Sequence, residues 1–346
     1  MASDRPRGLT VVGELVVDLI PDLAAGAGPE GTAPHFVARP GGNALNVAVT
    51  AGRLGAPVRL VARVGTGPLA RHLRRHAEAS GVDLSLAVDA PEPVSVAVVG
   101  LDASGSADYG FHVLGAADWQ WRDDELADVP GTTAILHVGS ISSWTPPGCA
   151  AIARLVEQVR DGGRALVSVD PNIRPMLADG PVGTSLGNDR AAVRERLDRL
   201  VAAADVVKVS AEDLAWLEPG LGDDPAALDA AAVQWAEHGP GLLLLTDGGA
   251  PLRVARPGRP LVRFPIPPVT VADTVGAGDS LAAGLFAGLL ARDVTTRAGL
   301  DALGETDLAE VLQDAVLVAA LTCTRVGADP PSAAELDRAR AALAGG

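Results

Sequence analysis

The chain has 346 residues, 48% of them hydrophobic, so it can bury a sizeable core as one large domain or two small ones. Its net charge of −15 argues against nucleic acid as a main partner but leaves room for a nucleotide at a local positive site. No apolar run approaches the roughly 18 residues of a membrane span. With two cysteines and a start that does not resemble a signal peptide, we expect a cytoplasmic protein without disulfides.

The first predicted element is an apolar strand at Leu9–Val12, which residues 13–20 continue with alternating character. Asp18 lies between two apolar neighbours in that alternation, so its side chain is expected on the opposite face of the strand. An extended piece at His35–Ala38 follows a stretch rich in proline and glycine.

A buried helix is predicted over Ala44–Leu54, because this segment is apolar nearly all round. It follows a Pro-Gly-Gly turn, and Asn43 is typical of a helix N-cap. Asn46 falls in the first turn, where a buried amide must find partners in the backbone or in a polar ligand.

Residues Gly65–Ala70 match Gly-x-Gly-x-x-Ala between a predicted strand, Pro57–Val64, and a helix that runs to Ser80. The pattern is typical of a dinucleotide-binding turn and supports a nicotinamide-dependent oxidoreductase as a rival hypothesis. Two features disfavour it. Pro68 lacks the N–H that a pyrophosphate would use, and Asp83 is nearer than the expected spacing of about 20 residues.

Two extended runs, Val94–Leu101 and Tyr109–Leu114, are typical of a β-hairpin joined by residues 102–108. Neither run leads directly into a helix, so the hairpin is expected outside the main alternation of strands and helices. With the pieces around 15–20 and 35–38 it would form a small separate sheet.

From residue 134 onward strands and helices alternate with short links, which predicts a parallel sheet with right-handed crossovers. Polar groups follow the ends of successive strands, at the edge where open α/β sheets bind ligands. Residues 178–190 and 218–225 are predicted as surface loops. The strands are Ala134–Val138, Ala165–Val169, Val206–Val209 and Leu242–Leu245, followed in turn by Gly139-Ser140, Asp170 to Arg174, Ser210 to Glu212 and Thr246 to Gly249.

The strongest chemical signal lies in Val269–Leu290. The prolines before this stretch favour an extended chain, and the apolar run at its end is typical of a buried helix. Gly276, Ala277 and Gly278 are therefore predicted at a helix N-terminus, where unpaired N–H groups and the helix dipole suit an anion. Asp279 would accept a proton from a hydroxyl that attacks a bound phosphate. Simple capping of the helix is the alternative interpretation.

Taken together, these motifs resemble the PfkB (ribokinase-like) family of sugar kinases. Pro40-Gly-Gly-Asn-Ala-Leu-Asn46-Val-Ala with Arg53-Leu-Gly55 is similar to the first family signature, and Asp273-Thr-Val-Gly-Ala-Gly-Asp279-Ser is similar to the second. Three pieces resemble the fructokinase branch: Gly13-Glu-Leu-Val-Val-Asp18-Leu-Ile-Pro21, Asp170-Pro-Asn-Ile-Arg174-Pro, and Cys323-Thr-Arg-Val-Gly-Ala328 with Pro330-Pro331. The chain departs from the family at Gly67, where an acidic residue is frequent, and at Asp329, where Asn is common.

The resemblance implies a ribokinase-like three-layer α/β/α core with a mainly parallel sheet and a small β-sheet lid. It implies one domain over residues 1–346, with a discontinuous lid from about 14–40 and 92–115. It also implies phosphoryl transfer from ATP with Mg²⁺ to a sugar, with K⁺ in some relatives, and a homodimer paired through the lid.

Fructose is the expected acceptor. The alternatives within the same chemistry are 2-keto-3-deoxygluconate, ribose and a nucleoside, and the non-enzyme alternative is a sugar-binding regulator without turnover. The resemblance assigns catalysis to Asp279 as base, with the amides of residues 276–278 holding the phosphoryl oxygens. Arg174 is a candidate for the same oxygens, for the carboxylate of a keto-acid acceptor, or for a surface ion pair.

The remaining assignments each have a structural alternative, such as making a turn, occupying a first helical turn or snorkelling from a strand end. They are Asp18, Gly41, Gly42 and Asn46 for the sugar, Lys208, Thr246, Gly248 and the Cys323–Ala328 region for the nucleotide, Glu212 for Mg²⁺ through water, and Asp273 for a monovalent cation.

Overall fold

The computed structural model describes residues 7–21, 35–101, 107–222 and 224–344. The strands are β1 (Gly8–Val12), β2 (Val16–Pro21), β3 (Phe36–Gly41), β4 (Val58–Val61), β5 (Arg63–Val64), β6 (Val88–Asp89), β7 (Ser95–Leu101), β8 (Ala107–His112), β9 (Thr133–Gly139), β10 (Leu166–Asp170), β11 (Val206–Ser210), β12 (Leu242–Thr246), β13 (Leu252–Ala255) and β14 (Val262–Phe264).

The helices are α1 (Asn43–Arg53), α2 (Pro68–Ala79), α3 (Asp123–Leu126), α4 (Val129–Thr132), α5 (Ser140–Trp144), α6 (Cys149–Gly162), α7 (Pro175–Ala178), α8 (Pro181–Ser185), α9 (Arg190–Ala203), α10 (Ala211–Leu217), α11 (Pro225–Glu237), α12 (Ala277–Ala291), α13 (Arg297–Ala302), α14 (Glu305–Thr322) and α15 (Ala333–Ala344), with a 3₁₀ turn at Ala117–Trp119. No helix in the described part of the chain is long and apolar enough to cross a membrane.

A large sheet of eight strands has the order β14-β13-β12-β11-β10-β9-β1-β4. The strands from β12 to β4 are parallel, and β13 and β14 extend one edge antiparallel. The strands β1, β9 and β10 are buried along their whole length, as strands covered by helices on both faces must be. One core packs α1, α12 and α14 against the sheet, and a second core packs α6, α9 and α11. The predicted α/β/α architecture is confirmed.

A smaller sheet has the order β3-β2-β7-β8 and comes from two separate stretches of the chain. The central strands β2 and β7 are parallel, and both outer pairs are antiparallel. The predicted hairpin corresponds to β7 and β8, and the predicted separate sheet is confirmed. The hairpin loop at 102–106 and the Pro/Gly-rich stretch at 22–34 lie outside the described residues.

Residues 13–20 do not continue β1 as predicted. The chain leaves the large sheet after Val12, and Val16–Pro21 joins the small sheet. Gly13 packs so closely on α1 that a Cβ atom there would lie 2.8 Å from the Cβ of Ala44, and the N–H of Leu15 is bonded to a side chain rather than to a strand. A strand is therefore present over part of this stretch, but it belongs to a different sheet.

Two further predictions differ from the structure. Residues 178–190, predicted as a surface loop, contain the short helix α8, and the N–H of Asn188 donates to the carbonyl of Gly183 in this helix at 2.9 Å. The strands β13 and β14 were not predicted, because runs of four and three residues are too short to show a clear alternation.

Candidate active site

The site is centred on the first turn of α12, at the edge where the parallel strands of the large sheet end. Gly276 is the N-cap of this helix and has left-handed backbone geometry, with φ of 77°. A Cβ atom at this position would lie 2.7 Å from the Cβ of Ala328. Both the conformation and the close approach therefore require glycine.

The amides of this turn are not equivalent. The N–H of Ala277 donates to the carbonyl of Thr274 at 3.2 Å, whereas the N–H groups of Gly276 and Gly278 have no acceptor among the described residues. Of the three amides predicted to hold an anion, two are thus open, because the N–H of Ala277 closes its own turn. That the turn binds an anion stays a prediction. Two N–H groups at the positive end of a 15-residue helix still suit an anion.

Asp279 is 8% exposed and is held by two asparagine side chains from α1. Its Oδ1 accepts from Nδ2 of Asn43 at 2.7 Å, and its Oδ2 accepts from Nδ2 of Asn46 at 2.8 Å. Each oxygen of a carboxylate can accept more than one hydrogen bond, so both remain able to accept a proton or another donor. The arrangement fixes the orientation of the carboxylate beside the open amides.

Asn43 was predicted as the N-cap of α1, and this prediction is wrong. The N-cap is Gly42, with φ of 101°, and Asn43 is the first residue of the helix. Its side chain is therefore turned from its own backbone toward Asp279. Asn43 is absent from the predicted site residues, although its spacing of three from Asn46 places the two amides on one face of a helix.

A buried ion pair packs against the turn of residues 276–278. Lys208 Nζ is 3.1 Å from Oδ2 of Asp170, and these residues are 7% and 0% exposed. A Cβ atom on Gly278 would lie 2.8 Å from the same Nζ, so the ammonium group touches the turn from below. Oδ1 of Asp170 has no hydrogen-bond partner within the described ranges. Lys208 thus packs against the turn of residues 276–278, and its role toward a nucleotide stays a prediction.

Burial and neighbouring charges act in opposite directions on each member of this pair. It raises the pKa of Asp170 to about 6, although the positive charge of Lys208 opposes the shift. Burial acts to lower the pKa of Lys208, but the carboxylates of Asp170, Asp213 and Asp279 outweigh it, so the pKa is raised. The lysine therefore stays positively charged under the turn.

In the small sheet, Asp18 lies against the glycine turn of Gly41 and Gly42, which leads into α1. The Asp18 carboxylate rests directly against the α-carbon of Gly41, and a Cβ atom on Gly42 would lie 2.7 Å from the carbonyl oxygen of Glu14. Burial raises the pKa of Asp18 to about 6, and the charge of Arg174 opposes the rise. Asp18 and Arg174 thus lie close enough to interact.

Arg174 itself is exposed, and its Nη1 donates to the carbonyl of Ile173 at 3.3 Å. Of the hydrogen bonds in the described segments, none joins it to the 276–278 turn. Glu212 is exposed in the first turn of α10. The neighbouring Asp213 is buried instead and accepts from the N–H groups of Ile173, at 2.7 Å, and Ser210, at 3.0 Å.

Two further segments contain the residues predicted for the nucleotide and the monovalent cation. The hydroxyl of Thr246, at the end of β12, lies 3.5 Å from the carbonyl of Val209, and Gly248 follows in an open loop. Asp273 accepts from the N–H of Val275 at 3.1 Å and from the N–H of Gly327 at 2.8 Å. Asp273 therefore ties the turn to the loop that contains Cys323–Ala328.

The two departures from the family pattern have different surroundings. Asp329 forms ion pairs with Arg53 at the end of α1 and with Arg325, the latter at 3.9 Å. Gly67 is the N-cap of α2 and has open space around it. Asp329 thus replaces a neutral amide by a charge that joins α1 to the C-terminal loop.

The first glycine of the rival dinucleotide pattern is packed against another loop. The space that a Cβ atom of Gly65 would occupy is filled by the backbone of Glu92 and Val94. The first glycine of the pattern thus allows close packing of two loops. Pro68 is at the first position of α2, as expected for a helix start.

Comparisons with known proteins agree with this geometry. The family model described as pfkB family carbohydrate kinase matches residues 7–335. A fructokinase of Klebsiella pneumoniae is 35% identical over 285 residues, which cover 82% of this chain and 85% of that protein.

Two solved structures are similar over nearly their whole length. Fructokinase from Xylella fastidiosa with bound ATP has a TM-score of 0.82 and 26% identity, covering 97% of this chain and 99% of that one. A double mutant of Vibrio cholerae O395 fructokinase, bound to fructose, ADP and potassium ion, has a TM-score of 0.76, 26% identity and the same coverage. Since the family model spans almost the entire sequence and the site has the family's fold around it, this chain belongs to the pfkB family of carbohydrate kinases.

Proposed function

We propose that this chain is an ATP-dependent fructokinase, which converts fructose to fructose 6-phosphate. The observation that carries the proposal is the Asp279 carboxylate, fixed by Asn43 and Asn46 beside two open amides. Fructose is favoured as acceptor because the Klebsiella pneumoniae relative, at 35% identity, is a fructokinase.

In the proposed reaction a sugar hydroxyl oxygen forms a bond to the γ-phosphorus of ATP while its proton passes to Asp279. The bond from that phosphorus to the bridging oxygen breaks, and ADP leaves. A positioned base of this kind contributes about 10²–10⁴-fold to the rate. The amides of Gly276 and Gly278, the dipole of α12 and the charge of Lys208 stabilise the negative charge on the phosphoryl oxygens.

The proposed sugar subsite consists of Asp18, Asn46 and the glycine turn. A half-buried carboxylate accepts hydrogen bonds from neighbouring hydroxyls, and the missing side chain of Gly41 leaves room for it. The nucleotide subsite is proposed to lie between Thr246, Gly248 and the Cys323–Ala328 loop. Thr246 ends the strand next to that of Lys208, and Asp273 joins the segment of the turn to the loop through the N–H of Gly327.

Mg²⁺, when bound with ATP, neutralises charge on the phosphate oxygens. Glu212 is proposed to hold it through water, because Mg²⁺ keeps several waters and takes only one or two carboxylates. The described residues contain no group of three or more metal-ligating side chains. An exposed carboxylate in the first turn of α10 fits an ion bound mainly by phosphates and water.

A monovalent cation is proposed at Asp273. A carboxylate offers about four acceptor positions, and hydrogen bonds from Val275 and Gly327 occupy two of them. The Vibrio cholerae neighbour was solved with a potassium ion. Pairing of two subunits through the small sheet is likewise proposed, on the exposed apolar side chains of Phe36 and Val37 on β3.

The acidity of Asp18 predicts how sugar binding depends on pH. Because burial raises its pKa to about 6, Asp18 is a carboxylate above this pH and loses its charge below it. We expect kcat/KM for the sugar to fall below pH 6 in the wild type. In Asp18→Asn this fall should disappear, and kcat/KM should be about 10- to 100-fold lower at pH 8, since hydrogen bonds to charged groups contribute about 1.5–3 kcal/mol. A wild-type profile that Asp18→Asn leaves unchanged would remove Asp18 from the sugar subsite.

Gly276 allows a test of the anion turn with a matched control. Gly276→Ala introduces a Cβ atom against Ala328 in a left-handed conformation, so the amides should shift and kcat should fall about 10²–10³-fold. Gly163 is the C-cap of α6, with φ of 61° and open space around it. Gly163→Ala carries a similar backbone cost of about 1–2 kcal/mol without a collision. Equal losses of activity in both variants would show that strain alone, and not the turn, is responsible.

The acceptor is tested by ADP release with a panel of fructose, 2-keto-3-deoxygluconate, ribose and a nucleoside. We expect the highest kcat/KM with fructose. The keto-acid is the second candidate, because Arg174 lies beside Asp18 and can meet a carboxylate. ADP release with the keto-acid and none with fructose would replace the first proposal by the second. Calorimetric binding of a sugar without ADP release would indicate a regulator.

A further inference from the structure

A buried carboxylate that the proposed reaction does not use lies where the two sheets join. Asp118, in the 3₁₀ turn after β8, is 1% exposed. Its Oδ1 accepts from the N–H of Leu15 at 2.9 Å, and its Oδ2 accepts from the hydroxyl of Ser95. Leu15 immediately precedes β2, and Ser95 begins β7. One side chain therefore holds the starts of both central strands of the small sheet.

The turn that carries Asp118 is fixed to the large-sheet side of the molecule. The carbonyl of Trp119 accepts from the N–H of Gly148 at 2.9 Å, and the carbonyl of Ala117 accepts from Nε of Arg63 at 3.2 Å. Trp119 is 1% exposed and belongs to the core that contains α6, α9 and α11. Asp118 thus connects the buried core on one face of the large sheet to the base of the small sheet.

The position of this connection matters for the candidate site. Val16, next to Leu15, pairs with both Ser95 and Gly41. Asp18 follows two residues later on β2, so a change of direction at Leu15 displaces its carboxylate. The turn that leads into α1 packs against the start of β2, since a Cβ atom on Gly42 would lie 3.0 Å from the backbone nitrogen of Val16.

We propose that Asp118 is a positioning residue for the acceptor sugar, because it fastens the base of the small sheet and so sets where Asp18 lies relative to Asp279. This inference rests on the proposed function, since it takes Asp18 as part of the sugar subsite. Asp118 touches neither substrate, and its effect is transmitted through β2. Truncating it leaves the N–H of Leu15 and the hydroxyl of Ser95 buried without their acceptor.

The test compares steady-state kinetics of Asp118→Ala, Asp118→Asn and a control. Asp118→Ala should raise the KM for sugar about ten-fold or more and leave the KM for ATP nearly unchanged. Asp118→Asn should restore most of the affinity, because its carbonyl oxygen still accepts from Leu15 while its amino group donates to the oxygen of Ser95. The control is Asp205→Ala. Asp205 is also buried and accepts from the N–H of Val167 at 2.9 Å. It directly precedes β11, at the amino ends of the parallel strands, whereas the candidate site lies at their carboxyl ends. Asp205→Ala should lower the melting temperature without changing either KM.

Hydrogen exchange gives a readout that does not depend on catalysis. The Leu15 amide should exchange at least about ten-fold faster in Asp118→Ala than in the wild type. Wild-type exchange at Leu15, or an equal rise in both KM values, would overturn the proposal. Should Asp118→Ala fail to fold, Ser95→Ala removes only one of the two bonds, and an unchanged KM for sugar in that variant also overturns it. If wild-type protein releases no ADP with any sugar, the proposed function fails, whereas exchange at Leu15 still tests the connection itself.

Discussion

Asp279→Asn is expected to lower kcat about 10²–10⁴-fold while the affinity for ATP is nearly retained. The substitution keeps the size of the side chain and removes its ability to take a proton. Asn43 or Asn46 can turn its own amide to present oxygen to the new amino group, so the local packing should survive. Single-turnover phosphoryl transfer separates the chemical step from nucleotide binding, which is measured by calorimetry on the same variant.

Two results would contradict this role of Asp279. Unchanged turnover in Asp279→Asn would place the base elsewhere. Loss of ATP binding together with turnover would show that the carboxylate maintains the shape of the turn instead. Thermal unfolding of the variant serves as the control, because a folded protein with normal nucleotide affinity isolates the proton transfer.

Lys208→Met should have the second largest effect, and it acts on both stability and catalysis. Asp170 is fully buried, and its pairing with Lys208 Nζ is its one ion pair in the described part of the chain. Removing one partner of a buried pair costs about 3–5 kcal/mol in the free energy of unfolding, because the other charge is left uncompensated. Removing the cation beneath Gly278 should also lower kcat about 10²–10³-fold.

A double variant distinguishes these two effects. Lys208→Met combined with Asp170→Asn removes both charges, so denaturant unfolding should show recovery of much of the lost stability. Activity should remain low, because the anion turn still lacks its positive charge. Recovery of both stability and turnover in the double variant would mean that Lys208 serves only to neutralise Asp170.

The parts of the fold that the sequence predicted are those with local signals. Short apolar strands, the glycines before α12 and the apolar run after them each act within a few residues, and together they indicated the sheet edge and the anion turn. The hairpin β7–β8 likewise shows its strands and loop directly. The segments of the fold were therefore predicted correctly, whereas the functional roles assigned to their residues stay predictions.

Asn43 shows why the rest could not be predicted. Its local context is typical of an N-cap, but its partner is Asp279, 236 residues away. The choice between the two roles depends on the left-handed backbone of Gly42, which the packing of the small sheet's base on Glu14 requires. The residues around Asn43 do not show which role it takes. The one hint in the sequence is its spacing from Asn46, which places both amides on one face of the helix.

The buried groups were missed for the same reason. Asp170 was predicted as one of several polar residues at the ends of the strands. Its burial and its pairing with Lys208 arise from the contact between the neighbouring strands β10 and β11. Asp118 received no prediction at all, because the meaning of its carboxylate depends on Leu15, 103 residues earlier. Ala277 was predicted as an open donor, and the closure of its own turn made it unavailable.

Phosphorus NMR of a mixture of the protein, Mg²⁺, ATP and fructose tests the central claim most directly. It distinguishes transfer to a sugar from hydrolysis and from binding without turnover in one spectrum. We predict that the γ-phosphate resonance of ATP disappears as resonances of ADP and a sugar phosphate monoester grow in equal amounts. Formation of inorganic phosphate alone, or an unchanged ATP spectrum with each sugar of the panel, would contradict the assignment of Asp279 and its turn to phosphoryl transfer.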